Sequence, residues 1–408
     1  MMPALALLGG EKAKSKPFPP WPHYDERELE ALRAVLESRR WWRTPGDQTL
    51  RFEQAFAAAH GAKYGVAVTN GTHAIEVALG ALGIGYGDEV IVPDFTFIAT
   101  ASAVLSVGAL PVLVDIDAHM YNIDPAQVEA AITPRTKAII VVHMGGLPVD
   151  MDALLEIGRR HNLPIIEDSS HAHGSEWKGQ RIGALGIAGT FSFQASKTMT
   201  AGEGGIVITN DAEVERLARS ISDCGRMPGH QFYEHFIYAS NYRLSEWQGA
   251  VLNVQLERMD EQTARRHHNA CILDGILREI DGITPQKHDE RCTRNGHYLY
   301  MFHYDARAFD DVPPARFIEA LNAEGIPTQA TYPPLHALEV FSSGAYKTRI
   351  PPGMPDDALR HAPFSNSAMV MREVICLPQA VLLSDEADME EIGVAIRKIQ
   401  ANTRELHA

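Results

Sequence analysis

The strongest constraint on the fold is an alternation of short β-branched runs and helical patterns between residues 64 and 209. The runs are Tyr64–Thr69, Glu89–Val92, Pro111–Asp115, Lys137–Val142, Pro164–Asp168, Thr190–Phe193 and Gly205–Thr209. The helical patterns between them include Thr72–Leu82, Ala99–Val107 and Asp150–His161. Strands that alternate with helices are typical of βαβ crossovers. The sequence therefore predicts an α/β fold with a mainly parallel, seven-stranded sheet that is covered on both faces.

The segments before and after this alternation indicate how the chain is divided into an arm and two domains. Residues 10–22 are rich in Lys and Pro and predict an extended arm within residues 1–24. A helix is expected to begin at Asp25, because Glu28 completes a capping box with it. The other expected elements are helices at about Leu50–His60, Asn241–Arg265, Pro313–Glu324 and Asp385–Arg404, and a strand at Gly296–Tyr304. We therefore predict an arm (1–24), a large domain that contains the alternating segments (25–255) and a smaller α+β domain (256–408).

Charge and cysteine content argue against several classes of protein. The chain has 37 Lys and Arg against 52 Asp and Glu, so it lacks the basic footprint of a nucleic-acid-binding protein. Its four cysteines form no C-x-x-C pair, which favours free thiols in a reducing cytoplasm. The longest uncharged stretch, residues 95–114, contains Gly108 and Pro111 and fits a buried helix and strand better than a membrane span. Positive charges follow the apolar N-terminal run instead of preceding it, so no signal peptide is predicted.

A first candidate site is the segment Thr69-Asn-Gly-Thr-His-Ala74, which follows a predicted strand and opens a predicted helix. Free backbone N–H groups and the helix dipole form an anion site at such a position, and Gly71 lets a phosphate approach the backbone. Taken alone, the segment is more typical of an ordinary strand–turn–helix junction with Asn-Gly as its turn.

A second candidate is Asp168, which ends an apolar run directly after Glu167. Ligands of open parallel sheets bind at the carboxyl ends of the strands, so Asp168 is placed where it could keep a pyridine nitrogen protonated. A helix cap or a solvated strand end explains this segment alone equally well.

The third candidate is Lys197, which follows a predicted strand and precedes the glycine-dense loop Gly202-Glu-Gly-Gly205. A lysine in a partly desolvated pocket has a lowered pKa and can form a Schiff base with a carbonyl. A surface lysine beside a flexible loop is the commoner situation, but the position directly after a strand favours the functional interpretation.

Together the three segments supply what pyridoxal phosphate requires: a Schiff-base lysine, an acidic partner for the ring nitrogen and a phosphate cradle. Phe97, just after a predicted strand, could cover the ring. Dinucleotide, Walker and nucleophile-elbow motifs are absent. The pairs His171/His173 and His267/His268 lack an accompanying carboxylate–histidine spacing, so no metal site is predicted.

Several motifs agree in order and spacing with one enzyme family. They are Val68-Thr-Asn-Gly-Thr-His-Ala74, Val90-Ile-Val-Pro-Asp-Phe-Thr-Phe97, Val142-His-Met-Gly-Gly146, Glu167-Asp-Ser-Ser-His-Ala-His-Gly174, Ser192-Phe-Gln-Ala-Ser-Lys197, Gly202-Glu-Gly-Gly205 and Ser240-Asn-Tyr-Arg-Leu-Ser-Glu246. From about Pro17 to its end, the chain resembles the pyridoxal-phosphate-dependent sugar aminotransferases of the DegT type, which are fold-type-I enzymes. Three segments look most similar to 3-amino-5-hydroxybenzoate synthases and glutamine:scyllo-inosose aminotransferases within that family: Phe18-Pro-Pro-Trp-Pro22, Trp41-Trp-Arg43 and His171-Ala-His-Gly174.

The resemblance implies a role for each matching residue. Lys197 would carry the Schiff base and shuttle a proton, Asp168 would hold the pyridine nitrogen protonated, and His171 would lie near the phenolic oxygen of the cofactor. The other implied cofactor-binding residues are Thr72, His73 and Ser192 at the phosphate, Phe97 on the ring, and Asn241 at the phosphate of the neighbouring subunit. The role of Asn241 implies a homodimer with shared active sites.

Candidates for the acceptor side are Trp42, Arg43, Tyr332 and His336, although packing explains the tryptophan equally well. A polyol needs many hydrogen-bonding groups, whereas a nucleotide sugar needs cations for its diphosphate, and no basic cluster lies near these motifs. We therefore expect an aminotransferase that moves nitrogen from glutamine or glutamate to the keto group of a cyclic polyol or sugar, in antibiotic or amino-sugar biosynthesis.

Three alternatives stay open at this point. A synthase of the aminohydroxybenzoate type would use the same lysine to dehydrate and aromatise a cyclic aminoketone. An aminotransferase could instead act on a nucleotide-linked ketosugar. A regulatory protein could retain the fold without catalysis, but every cofactor position is filled. Some relatives replace the lysine with His and dehydrate sugars; the presence of Lys197 favours transamination.

Overall fold

The computed structural model describes residues 4–350, 352–353 and 356–407. Its strands are β1 Tyr64–Val68, β2 Glu89–Pro93, β3 Leu110–Val114, β4 Thr136–Val142, β5 Ile165–Asp168, β6 Glu176–Trp177, β7 Gln180–Arg181, β8 Ala188–Ser192, β9 Gly205–Thr209, β10 Ile283–Pro285, β11 Cys292–Arg294, β12 Leu299–Tyr304, β13 Gln329–Ala330 and β14 Val374–Pro378. Its α-helices are α1 Glu26–Ser38, α2 Gln48–Ala59, α3 Gly71–Ala81, α4 Ala99–Ser106, α5 Pro125–Ala131, α6 Met151–His161, α7 Ala212–Ser222, α8 Glu246–Arg278, α9 Pro314–Ala323, α10 Glu339–Ser342, α11 Ser365–Glu373 and α12 Glu386–Ala401.

The largest sheet has seven strands in the order β1-β9-β8-β5-β4-β2-β3. Strand β9 runs antiparallel to both of its neighbours, and the other adjacent pairs are parallel. The predicted mainly parallel, seven-stranded sheet is therefore confirmed.

Helices cover both faces of this sheet. Successive side chains of a strand point to opposite sides, so apolar residues on both sides need a helix to bury them. On β2, Val90 and Val92 pack in the cluster that contains the apolar residues of α3 and α4. Ile91, between them, packs in a different cluster with Leu154 and Ile157 of α6. This double burial explains why the strands are nearly continuous runs of apolar residues.

Helix α8 departs from the sequence prediction at both ends. It begins at Glu246 and not at Asn241, because Ser245 and Gln248 form a capping box. It continues thirteen residues beyond Arg265 to Arg278, since Leu273 and Leu277 pack into the core of the C-terminal half. The boundary predicted between residues 255 and 256 falls inside this helix, and the division into domains stays a prediction.

The C-terminal half is built on a four-stranded antiparallel sheet in the order β10-β12-β14-β13. Its core is shared with α8, α9 and α12, and Leu5 of the N-terminal arm is fully buried in the same cluster. The chain then returns to the large sheet, where Phe341 and Phe364 pack against its core. A third sheet has the order β11-β6-β7.

Two local predictions near the N-terminus can be compared directly. The capping box of Asp25 and Glu28 is present at the start of α1, so that prediction is confirmed. Lys14 in the arm is buried and lies 2.5 Å from Asp388, which ties the arm to α12. No α-helix in the described part of the chain is long and apolar enough to cross a membrane.

Candidate active site

A cavity of about 600 Å³ opens at the carboxyl ends of the parallel strands. Val142 at the end of β4, Asp168 at the end of β5 and Ser192 at the end of β8 all line it. The first turn of α3 forms another wall. This is the position at which open α/β sheets bind their ligands.

The N-terminus of α3 points its first amides at the cavity. The Asn70 side chain caps the helix by accepting a hydrogen bond from the His73 amide at 2.8 Å. The amides of Gly71 and Thr72 belong to the first turn, which has no intrahelical acceptors for them. A Cβ on Gly71 would lie 2.7 Å from the Cβ of Ser192, so only glycine permits this close approach of helix and strand. The result is an anion cradle with a serine beside it.

Asp168 presents a buried carboxylate to the cavity. Its Oδ2 accepts a hydrogen bond from the Thr100 hydroxyl at 2.9 Å, and its Oδ1 accepts one from the Ser170 amide at 3.2 Å. Among the described residues no cation pairs with it. Because adjacent strand residues face opposite sides, Glu167 points away and accepts hydrogen bonds from the amides of Gly183 and Gly186 at 2.8 and 2.6 Å.

Lys197 is a buried amine without a carboxylate ion pair among the described residues. Only 8% of the residue is exposed, and burial lowers the pKa of its ammonium group from the ordinary value. Its Nζ lies 4.3 Å from the ring centroid of Tyr298. A lowered pKa makes a larger fraction of the lysine neutral, which is the form that attacks a carbonyl carbon.

His171 is buried beside the same tyrosine. Its ring stacks on Tyr298 with centroids 4.2 Å apart and planes at 28°. Burial holds the pKa of His171 well below its usual range, so the ring is neutral. Its Nδ1 accepts a hydrogen bond from the Gly145 amide at 3.4 Å, which places the proton on Nε2.

The structure brings a majority of the predicted site residues together in one chain. Those that line the cavity are Thr72, Phe97, Asp168, His171, Ser192, Lys197 and Tyr332. Phe97 is half exposed and lies 6.1 Å from Tyr332, centroid to centroid. The individual roles of these residues remain predictions.

Two other predicted cofactor-binding residues, His73 and Asn241, do not line the cavity. The amide of His73 is bonded to Asn70 and its Nδ1 lies 2.5 Å from the Thr69 hydroxyl, and its role at the phosphate stays a prediction. Asn241 is exposed and does not line the cavity of its own chain. The implied contact with a second subunit remains a prediction for it.

The predicted acceptor residues Trp42, Arg43 and His336 do not line the cavity either. Arg43 forms an ion pair with buried Glu53 at 3.0 Å. His336 binds the fully buried carboxylate of Asp94, with 2.6 Å between Nδ1 and Oδ2. Trp42 is partly exposed. Within one chain, buried carboxylates therefore occupy one nitrogen of Arg43 and one of His336, and their role on the acceptor side stays a prediction.

Sequence reasoning missed several cavity residues. Tyr298, Ser196 and Gln194 line the wall next to Lys197, and Thr100 holds Asp168 from behind. Thr100 could have been found, because it lies in the first turn of the helix that follows Phe97. Tyr298 lies just before β12, inside the strand predicted at Gly296–Tyr304, and a strand pattern does not indicate which of its residues reach the distant Lys197.

The donor set of this cavity fits pyridoxal phosphate. An unpaired buried carboxylate suits a protonated ring nitrogen, and an unpaired buried lysine suits a covalent bond to an aldehyde. The glycine-lined amide cradle of α3 suits the phosphate. All three groups face one cavity of adequate size.

Comparison with known proteins agrees with this geometry. The model of the DegT/DnrJ/EryC1/StrS aminotransferase family matches residues 22–397. The chain is 42% identical over 378 residues to 3-amino-5-hydroxybenzoate synthase from Amycolatopsis mediterranei. This alignment covers 92% of this chain and 95% of the relative. It is 39% identical over 424 residues to L-glutamine:2-deoxy-scyllo-inosose aminotransferase from Streptoalloteichus tenebrarius, with 99% of each chain covered. The crystal structure of a 3-amino-5-hydroxybenzoic acid synthase superposes with a TM-score of 0.85 at 40% identity, over 95% of this chain and 100% of that one.

Proposed function

The chain belongs to the DegT/DnrJ/EryC1/StrS aminotransferase family of pyridoxal-phosphate-dependent enzymes, and from that premise we propose that it moves the amino group of glutamine to the keto group of a free carbocyclic polyol. The related aminotransferases named for glutamine and 2-deoxy-scyllo-inosose support this choice of donor and acceptor. We place the reaction in antibiotic or amino-sugar biosynthesis on the same ground.

The charge of the residues that line the cavity is the observation that supports a polyol, and not a nucleotide sugar, as the acceptor. Lys197 is the one cation among the residues that line the cavity in the described part of the chain. Tyr298, Tyr332, Ser196 and Gln194 contribute neutral hydroxyl and amide groups, and the carboxylates of the lining are Asp168 and Glu203. These groups suit the hydroxyls of a polyol, whereas a nucleotide diphosphate requires cations to neutralise it.

The residues of the chain have distinct tasks in this reaction. When bound, pyridoxal phosphate supplies an electron sink that carries the nitrogen between the two substrates. Lys197 would bond to the cofactor, and its neutral amine would take a proton from the substrate carbon and return it. Asp168 would keep a proton on the ring nitrogen, and the amides of Gly71 and Thr72 would bind the phosphate. Phe97 would limit the access of water.

A side-by-side assay with glutamine tests the acceptor class. We expect 2-deoxy-scyllo-inosose to be turned over faster than a nucleotide-linked ketosugar at equal concentration. Faster turnover of the nucleotide sugar would contradict the proposed acceptor, while leaving the aminotransferase assignment intact.

A second candidate function is favoured by the similarity to 3-amino-5-hydroxybenzoate synthase, which is as high as that to the inosose aminotransferases. Such an enzyme would release an aromatic product from a cyclic aminoketone. An amino polyol has no ring absorption in the near ultraviolet, so the absorption spectrum of the product separates the two functions.

We also propose a homodimer whose two chains share each active site. Asn241 is exposed, and the segment before it displays Phe232, Tyr233 and Tyr238 to solvent. Exposed aromatic side chains in one segment are typical of an interface. A second copy of this surface would carry Asn241 to the phosphate of the neighbouring chain.

A cytoplasmic location is proposed from the cysteines. Cys224, Cys271, Cys292 and Cys376 are all free thiols. Free thiols without disulfides are typical of proteins in a reducing compartment.

A further inference from the structure

Tyr298 contacts two of the buried titratable residues that line the cavity, Lys197 and His171. Its ring centroid lies 4.3 Å from the Nζ of Lys197 and 4.2 Å from the ring centroid of His171. Tyr298 is itself only 8% exposed. It comes from the C-terminal half of the chain, just before β12, and not from the large sheet that carries Lys197 and His171.

The hydroxyl of Tyr298 is fixed by two other hydroxyls. The Ser196 Oγ lies 2.9 Å away, and the Tyr332 hydroxyl donates to it at 3.3 Å. Ser196 directly precedes Lys197, so this contact ties the tyrosine to the segment that carries the lysine. The ring therefore has little freedom to leave the amine.

The turn that delivers Tyr298 is held by specific contacts. His297 has a φ of 47°, in the left-handed region that is costly for a residue with a side chain. The Gly296 amide donates to the Ser175 hydroxyl at 2.9 Å, and the His297 amide donates to the Asn295 side chain at 2.8 Å. A strained backbone held in place by its surroundings is common where a side chain must be aimed.

Few other groups near Lys197 can stabilise its ammonium form. His171 and His173 are buried, their pKa values lie well below the usual range, and they are neutral. Asp168 favours the ammonium form electrostatically, but its carboxylate is the group that would face the ring nitrogen. The face of an aromatic ring carries negative potential and attracts a cation, more strongly where water is excluded.

From this geometry we propose that Tyr298 is a positioning residue, which holds the ammonium form of Lys197 against the cavity wall whenever the lysine is not bonded to the cofactor. The inference rests on the role proposed above for Lys197. It explains how one lysine can both accept and donate a proton. Burial alone favours the neutral base, whereas the hydroxyl of Tyr298 raises the pKa of Lys197 and its ring face lies within reach of the ammonium group.

The test follows the titration of Lys197 itself. In the full-length chain freed of cofactor, the rate at which acetic anhydride labels Lys197 is measured against pH by peptide mapping. We expect Tyr298→Leu, which removes the ring and the oxygen, to lower the apparent pKa of Lys197 by about one pH unit. Tyr298→Phe, which keeps the ring, is expected to lower it by less. In the holoenzyme, both variants should reduce kcat more than they raise the KM for glutamine.

The matched control is Tyr121→Phe. Tyr121 is buried in the same hydrophobic cluster as Tyr298 but does not line the cavity, so its loss of a hydroxyl should leave the titration of Lys197 unchanged. Wild-type titration of Lys197 in both folded Tyr298 variants would overturn the proposal. If the leucine variant does not fold, Tyr298→Met, which also removes the ring and the oxygen, is measured in its place, and an unchanged titration in it overturns the proposal. Failure of transamination would leave this measurement valid, since labelling of Lys197 needs no turnover.

Discussion

The hydroxyl of Thr100 donates a hydrogen bond to the carboxylate of Asp168, with 2.9 Å between Oγ1 and Oδ2. Both residues are buried, and they come from different elements: Thr100 lies in the first turn of α4, and Asp168 ends β5. The bond orients the carboxylate, which lines the cavity and can face a cationic group there.

The Thr100→Val variant tests this orientation. Valine keeps the volume but removes the donor, and a hydrogen bond to a charged group contributes about 1.5–3 kcal/mol, so we expect kcat/KM to fall by about tenfold or more. Steady-state kinetics with glutamine as donor would show it. Ser102→Ala on the same helix is the control, because the Ser102 hydroxyl bonds only the Ala99 carbonyl among the described residues. Equal effects of the two variants would contradict the role of Thr100.

Asp168 and Glu167 form a matched pair of adjacent carboxylates with different surroundings. Asp168→Asn is expected to bind cofactor but to lose roughly 10²-fold or more in kcat, since a neutral amide cannot keep the ring nitrogen protonated. Glu167→Gln should instead weaken the fold, because Glu167 accepts hydrogen bonds from backbone amides away from the cavity. Kinetics and thermal melting of both variants separate the effects. An active Asp168→Asn enzyme would show that Asp168 is not the carboxylate that keeps the ring nitrogen protonated.

The strands, Lys197 and Asp168 could be predicted from sequence because each depends on a local pattern. β-branched runs predict buried parallel strands, and a charged residue that ends such a run lies at the ligand edge of the sheet. The ion pairs of Arg43 with Glu53 and of His336 with Asp94 could not be predicted, because the partners are not adjacent in sequence and no local pattern joins them. The extension of α8 to Arg278 depends on tertiary packing and has no local stop signal before it.

The pair of His336 and Asp94 makes the stability of the protein depend on pH. The hydrogen bond to Asp94 raises the pKa of His336 in the folded state above its ordinary value. The stabilisation is therefore complete below about pH 6.5, the unfolded pKa of histidine, and is lost as pH rises through the folded pKa. Urea unfolding of wild type and His336→Gln should show a stability difference that shrinks as pH rises. A difference that is constant over this interval would contradict the linkage.

Mixed dimers test whether Asn241 acts on the neighbouring chain. Lys197→Ala and Asn241→Ala homodimers should both be defective. Subunit exchange between them should restore one intact site in each heterodimer, which gives about a quarter of wild-type activity for a statistical mixture of dimers. Proven exchange without recovery would place Asn241 in the site of its own chain.

The central claim is that nitrogen passes from glutamine to a carbocyclic ketone at the cavity that contains Lys197. The most direct measurement uses glutamine labelled with nitrogen-15 at its α-amino group, 2-deoxy-scyllo-inosose as acceptor, and mass spectrometry of the product. The account predicts an amino polyol that carries the label with wild-type enzyme and no labelled product with Lys197→Ala. An unlabelled or aromatic product from the wild type, or labelled amino polyol formed at a near wild-type rate by Lys197→Ala, would contradict it.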